Sequence, residues 1–154
     1  MQPVVVATDA MLVVGIRVRT THRIEAVAQT AKIPALWRRF SVDKVVAQIP
    51  QRLPDPAVIA VYADYESADR GQYSLWIGHK VQSLDHVPKG LSGVLVPAGP
   101  YLCFTVESPM CEAPSAAWRA IQQFFVRSHE YERAYTTDFE VHSADQVAIY
   151  VAMK

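Results

Sequence analysis

Two copies of one pattern run through this chain. Leu36-Trp37-Arg38-Arg39-Phe40 in the first half answers to Ala117-Trp118-Arg119-Ala120-Ile121 in the second, and Tyr65-Glu66-Ser67-Ala68-Asp69 answers to Val141-His142-Ser143-Ala144-Asp145. Each Trp-Arg stretch has the spacing of an amphipathic helix, and each Ser-Ala-Asp stretch sits between two runs with strand character. The pattern therefore predicts a duplicated β-α-β-β unit of α+β class. Two such units associate about a pseudo-twofold axis into one antiparallel sheet, and the seam between them is a favourable place for a ligand cleft. On this reading residues 1–154 form a single domain, with the first repeat at about 1–85 and the second at about 86–154. The shared motif also pairs Asp64 with Glu140 and, with a two-residue deletion, Trp76 with Tyr150.

The elements follow from periodicity. Val4 to Val6 and Leu12 to Arg19 read as strands, the second stopped by Thr20-Thr21-His22. Ile33, Leu36, Trp37 and Phe40 recur at i, i+3, i+4 and i+7, with Pro34 tolerable in a first helical turn. Asp43 to Ile49 adds a short helical turn before the extended Pro50, Pro54 and Pro56 segment. Val58 to Tyr65 and Tyr73 to Val81 read as a hairpin, and Leu91 to Pro97 and Tyr101 to Ser108 as two strands broken at Ala98-Gly99-Pro100. Ser115 suits an N-cap for a helix whose apolar face is Trp118, Ile121, Phe124 and Phe125, and Thr136 to His142 and Val147 to Met153 close the chain with strands.

Composition excludes several functional classes. At 154 residues with 51% hydrophobic and 19% charged side chains, the chain folds around one core rather than remaining disordered. Lys plus Arg and Asp plus Glu both number 15, so the cationic surplus that nucleic-acid binding demands is missing. No basic leader precedes an apolar run, and the longest such run, Met11 to Ile16, is far below the ~18 residues of a membrane span, so a cytoplasmic protein with no membrane partner is expected. Cys103 and Cys111 lack a CxxC spacing and read as free thiols, Cys103 as a buried small hydrophobe. The five histidines never fall within four residues of one another, so no metal and no cofactor is expected. Phosphate-loop, dinucleotide, zinc-peptidase and nucleophile-elbow motifs are all missing.

Six segments in order carry a family likeness: Leu36 to Phe40, Val61 to Glu66, Tyr73 to Gly78, Val96 to Tyr101, Ala117 to Ile121 and Asp138-Phe139-Glu140. Together they resemble the GyrI-like effector-binding domain, in its stand-alone, integron-cassette type. The resemblance implies an SHS2-type duplicated fold, a pocket between the halves lined by aromatic rings, and a carboxylate from the last hairpin that maps to Glu140. His142 departs from the Tyr usual two residues after that Glu. No basic helix-turn-helix is legible ahead of the first strand, so a free-standing binder is expected rather than a complete regulator.

If Asp138 to His142 is a strand, Asp138, Glu140 and His142 share one face and Phe139 and Val141 the other. A carboxylate among aromatic rings suits an organic cation, because ring faces attract positive charge and the carboxylate supplies the counterion. Tyr65, Trp76 and Tyr101 are the first choices for the aromatic walls, although strand parity does not fix their facing. Trp37 and Trp118, at core spacing on helices, read first as scaffold and then as pocket floor or wall, with Phe104 similar; Asp64 is the counterpart of Glu140. The leading expectation is recognition of amphipathic, cationic, aromatic small molecules without nucleic-acid binding. A hydrolase using Glu140 with Tyr65 or Tyr101 as acid and base is the rival reading. A third is an interaction protein acting on a larger target, as the family's name-giving members do on DNA gyrase. A homodimer or another protein partner is left open.

Overall fold

Residues 2–68, 70–107 and 115–154 are described by a computed structural model. The strands are β1 (Val4–Thr8), β2 (Met11–Thr20), β3 (Val58–Ala63), β4 (Tyr73–Val81), β5 (Ser92–Val96), β6 (Gly99–Glu107), β7 (Thr137–His142) and β8 (Gln146–Ala152). The helices are α1 (His22–Glu25), α2 (Ile33–Val42), α3 (Val45–Gln48) and α4 (Ser115–Arg127). All eight strands join one antiparallel sheet in the order β1-β6-β8-β7-β3-β4-β2-β5.

The order is the duplication made visible. Outward from the central β3–β7 pair run β4 and β2 on one side and β8 and β6 on the other, with α2 and α4 as the matching crossovers. The outermost strands are exchanged: β1 pairs with β6 and β5 with β2, so each half lends its first strand to the other half's edge. Trp118 of α4 packs edge-on against Tyr62 of β3, and Trp37 of α2 packs against His142 of β7, which makes Tyr62 and His142 equivalent. That equivalence carries Ala60 onto Glu140, and these two face each other in the β3–β7 ladder. The pseudo-twofold axis therefore passes between Ala60 and Glu140. Two pairings expected from the shared Ser-Ala-Asp motif are corrected by the register. The mate of Glu140 is Ala60 rather than Asp64. Trp76 pairs with Val61, whose equivalent Val141 pairs with Ala148, so the mate of Trp76 is Ala148 rather than Tyr150.

Leu36, Trp37 and Phe40 bury the face of α2 on β2 and β4, as their helical spacing predicts, while Ala117 and Ile121 anchor α4 over Phe104, Val147 and Ile149. The sequence reading passed over α1. Thr21 accepts from the Ile24 amide to start that turn, and the Glu25 carboxylate then receives the Lys32 and Ile33 amides at 2.9 and 3.1 Å, capping α2 from outside it. The face opposite the helices carries a continuous cluster from Val96 on β5 through Val13, Ile59, Val61, Trp76 and Phe139 to Tyr101 on β6. Val13, Ile59 and Val61 are fully buried there, with Val6, Met11 and Val94 from the outer strands packed against the cluster. Strands β2 and β4 come close at Gly15 and Gly78, where a Cβ on either would lie 2.0 Å from a backbone oxygen across the ladder.

Several boundaries moved. β3 ends at Ala63 instead of Tyr65, because Asp64 takes a left-handed conformation (φ 54°), one that Asp tolerates better than most residues. β6 starts at Gly99, inside the expected break, by pairing with Thr8 of β1. Cys103 is half-buried rather than buried, since it alternates with the helix-facing Leu102 and Phe104 and points to the other side beside Val4 and Tyr150. Cys111 and the residue ahead of Ser115 lie outside the described residues.

Candidate functional site

β7 is a central strand paired on both edges, and five of its six residues are buried, so its polar residues are not solvated. Asp138, Glu140 and His142, alternating along it, are all fully buried on the helix side. Burying a carboxylate is costly unless every oxygen is met by donors, and each of the two is met.

Glu140 is held from three directions. The Tyr62 hydroxyl donates to Oε2 at 2.8 Å, the Trp118 indole N–H donates to the same oxygen at 2.6 Å, and His142 Nε2 lies 2.7 Å from Oε1. Against an ionised carboxylate that nitrogen must carry the proton, because the carboxylate only accepts. The other ring nitrogen of His142, Nδ1, is buried with no hydrogen-bond partner among the described residues, and the ring lies 4.7 Å from that of Trp37 between centroids. Among the described residues no Lys or Arg forms an ion pair with Glu140. Trp118 and Tyr62, whose rings are partly exposed, separate the carboxylate from solvent. Burial, and then the neighbouring Glu140 charge, push the Tyr62 hydroxyl well above the ordinary tyrosine value.

Asp138 is held differently. Its Oδ2 takes the Arg133 guanidinium at 2.7 Å and the Tyr65 hydroxyl at 2.6 Å, while Oδ1 takes the Ala152 amide at 2.8 Å. Burial is the strongest influence on the Arg133 charge and works against it, but Asp138, Tyr65 and Tyr135 together outweigh it and the guanidinium is held above its usual range. The Tyr65 hydroxyl is raised by burial first and by Asp138 second.

The structure brings together some of the residues singled out from sequence and separates others. Glu140 and Trp118 are in direct contact, with Trp37 one ring away over His142, and Tyr65 stands beside them on Asp138. Phe104 faces the helices but packs under Phe124 and Phe125 of α4 instead of against Glu140. Trp76 and Tyr101 lie on the opposite face of the sheet. There Arg17 sits 5.1 Å over Trp76, and Tyr101 donates to the Pro97 carbonyl while packing edge-on to Phe139. Asp64 is exposed and 4.0 Å from Arg17. Of the two tyrosines considered as catalytic partners of Glu140, neither touches it; the tyrosine that does is Tyr62.

Tyr62, Tyr73, Tyr135 and Arg133 had not been picked out. Tyr62 could have been found from parity, since it lies two residues from Ala60, but only once the register opposing Ala60 to Glu140 was known. Tyr73 packs at a tilt, 6.0 Å from both Tyr62 and Tyr65, and Tyr135 meets Tyr65 edge-on at 5.7 Å, extending the aromatic surface away from Glu140. A groove of about 900 Å³, lined mostly by the end of α4 and the segment after it with His22 and Ala68 from the first half, reaches Arg133 and Tyr135 but is not lined by Glu140, Tyr62 or Trp118. A second hollow of about 740 Å³ lies beyond Phe104 and Tyr131, away from Glu140. Among the described residues no three His, Cys, Asp or Glu side chains converge as metal ligands would, and no helix is long and apolar enough to cross a membrane.

A duplicated sheet with a buried carboxylate on its pseudo-twofold axis, closed over by one tryptophan-bearing helix from each half, defines an effector-binding fold. Residues 5–153 match the family of integron-associated effector binding proteins, and the chain belongs to that family. It is 30% identical over 148 residues to YobU of Bacillus subtilis (strain 168), which carries a transcriptional-regulator name, with 91% of this chain and 90% of YobU covered. Among solved structures it resembles an integron cassette protein from the mobile metagenome of Vibrio cholerae, at a TM-score of 0.83 and 28% identity over 99% of this chain and 95% of that one. The fold is shared with SAV2435, solved bound to tetraphenylphosphonium, at a TM-score of 0.76 and 13% identity over 100% of this chain and 94% of that one.

Proposed function

We propose that this chain binds a lipophilic organic cation, with Glu140 as counterion and Trp118, Tyr62 and Trp37 as the aromatic walls. The observation that carries the proposal is the Glu140 carboxylate itself. It is wholly buried on the pseudo-twofold axis, among rings, and is held by hydrogen bonds from Tyr62, Trp118 and His142 without a Lys or Arg ion pair among the described residues. A desolvated cation would supply the missing positive charge, and each ring face it met would add about 0.5–2 kcal/mol. Trp118 and Tyr62, partly exposed, are the side chains that would move aside to admit it. The tetraphenylphosphonium-bound SAV2435 shows that a fold of this kind can hold such a ligand.

The rival hydrolase reading draws on the 2.8 Å Tyr62–Glu140 contact, which has the composition of an acid–base pair. Yet the hydroxyl of Tyr62 is pinned neutral far above its ordinary range, and a group so far from neutrality is a poor proton shuttle. Recognition is therefore the better reading. Titrating the protein with tetraphenylphosphonium, followed by tryptophan fluorescence, tests it. Binding should saturate at one site, and an uncharged analogue of the same shape should bind about ten- to a hundredfold more weakly, the scale of a charged contact. Equal affinity for the two would remove the cation from the proposal.

A further inference from the structure

Asp138 and Glu140 lie on one face of β7, and among the described residues only Asp138 is paired with an Arg or Lys. Arg133 is 7% exposed, lines the groove beside the end of α4, and ion-pairs with Asp138 at 2.7 Å. Its guanidinium carbon also lies 4.2 Å from the Tyr135 ring centre and 5.6 Å from that of Trp118. A counterion and two ring faces are the surroundings an organic cation would choose. The fit is incomplete in one respect: Arg133 Nε is buried and has no hydrogen-bond partner among the described residues. Trp118 joins this seat to the next, giving its ring to Arg133 and its N–H to Glu140.

We infer that Arg133 is a tethered cation that fills the second of two adjacent cation seats and thereby restricts the site to ligands carrying one positive charge. The inference rests on the proposed cation binding at Glu140 and adds charge selectivity to it. Asp138 and Glu140 are two residues apart on one strand, so their seats lie about 7 Å apart along β7. A dication of that span would match both carboxylates, but its second charge meets the guanidinium instead. Asp138 is also held by Tyr65 and by the Ala152 amide, so it keeps a defined position when the guanidinium is taken away.

The test compares a bis-quaternary alkane, with nitrogens about 7 Å apart, and the mono-quaternary compound of the same chain length. Both are titrated calorimetrically into the wild-type protein, Arg133→Gln, Arg133→Lys and the Arg133→Gln/Asp138→Asn double variant. Gln keeps hydrogen-bond donors near Asp138 while removing the charge. Wild type should bind the monocation at least about tenfold more tightly than the dication. Arg133→Gln should reverse that preference, Arg133→Lys should keep it, and the double variant should lose the gain for the dication. A wild type that binds the dication as well as the monocation overturns the inference whatever the variants do, and so does an unchanged ratio in folded Arg133→Gln. If neither mono-quaternary compound nor tetraphenylphosphonium binds wild type, cation binding at Glu140 itself has failed, and charge selection falls with it.

Discussion

Asp138 and Glu140 are chemically near-identical neighbours on one strand face, yet their partners divide the work between them. Asp138 has an arginine, a tyrosine and a backbone amide, and it ties the 133–135 segment to β7 and β8. Removing it in Asp138→Ala strands a buried guanidinium and should cost about 3–5 kcal/mol in urea unfolding. Glu140→Gln keeps the shape and leaves no partner charge stranded, so it should cost less than about 2 kcal/mol. Equal losses from the two would mean that Glu140 is as structural as Asp138. The chemical character of this strand was legible in the sequence, since alternation alone placed Asp138, Glu140 and His142 on one face. Their ring partners were not legible. Which tyrosine meets Glu140 depends on the β3–β7 register, and Asp64 in its left-handed turn ends β3 early and sends Tyr65 to Asp138 instead.

At the scale of elements, α2 presents Trp37 to His142, and its start is fixed by Glu25 rather than by its own N-cap residue, Lys32, whose side chain makes no capping bond. Glu25→Ala should therefore lower stability by about 1–2 kcal/mol, with helix signal lost from α2, in a denaturant melt followed by circular dichroism. A change within a few tenths would show that the cap is replaced by water. Both long helices were readable from their 3.6-residue periodicity. The cap was not, because it comes from eight residues upstream of Ile33 through a turn too short to show a period. The aromatic residues of β4 and β6 were misjudged for a related reason. Trp76 and Tyr101 are strand aromatics in a doubly covered sheet, where both faces are apolar and the alternation that would reveal facing is lost.

Across the whole molecule, the two halves meet centrally at the β3–β7 ladder, flanked at the edges by the exchanged β1 and β5, and the tyrosines gathered around the central ladder share one response to pH. Tyr62 and Tyr65 hold their protons well above the ordinary value of 10.0, through burial first and the adjacent carboxylates next. The unfolded chain releases these protons sooner than the folded one, so their stabilisation is complete below about pH 10 and declines as pH rises beyond it. Urea midpoints should hold from about pH 8 to about pH 9.5 and fall beyond about pH 10.5, with a smaller fall in a Tyr62→Phe/Tyr65→Phe variant. An unchanged fall in that variant would place the alkaline sensitivity elsewhere. The duplicated architecture itself was visible in the repeated Trp-Arg helices. The exchange of β1 and β5 between halves was not, because nothing in the Asp9-Ala10 link distinguishes a hairpin from a strand that crosses to the far edge.

The central claim is that one buried charge on the pseudo-twofold axis recognises one positive charge on a ligand. A four-way calorimetric cycle tests it most directly: tetraphenylphosphonium and its uncharged analogue, each titrated into wild type and Glu140→Gln. The cation should lose at least about tenfold in affinity on substitution, about 1.4 kcal/mol, while the uncharged analogue should move by less than about twofold. A cation affinity unmoved by Glu140→Gln in the folded variant, or an equal loss for both ligands, would contradict the assignment of Glu140 as the counterion.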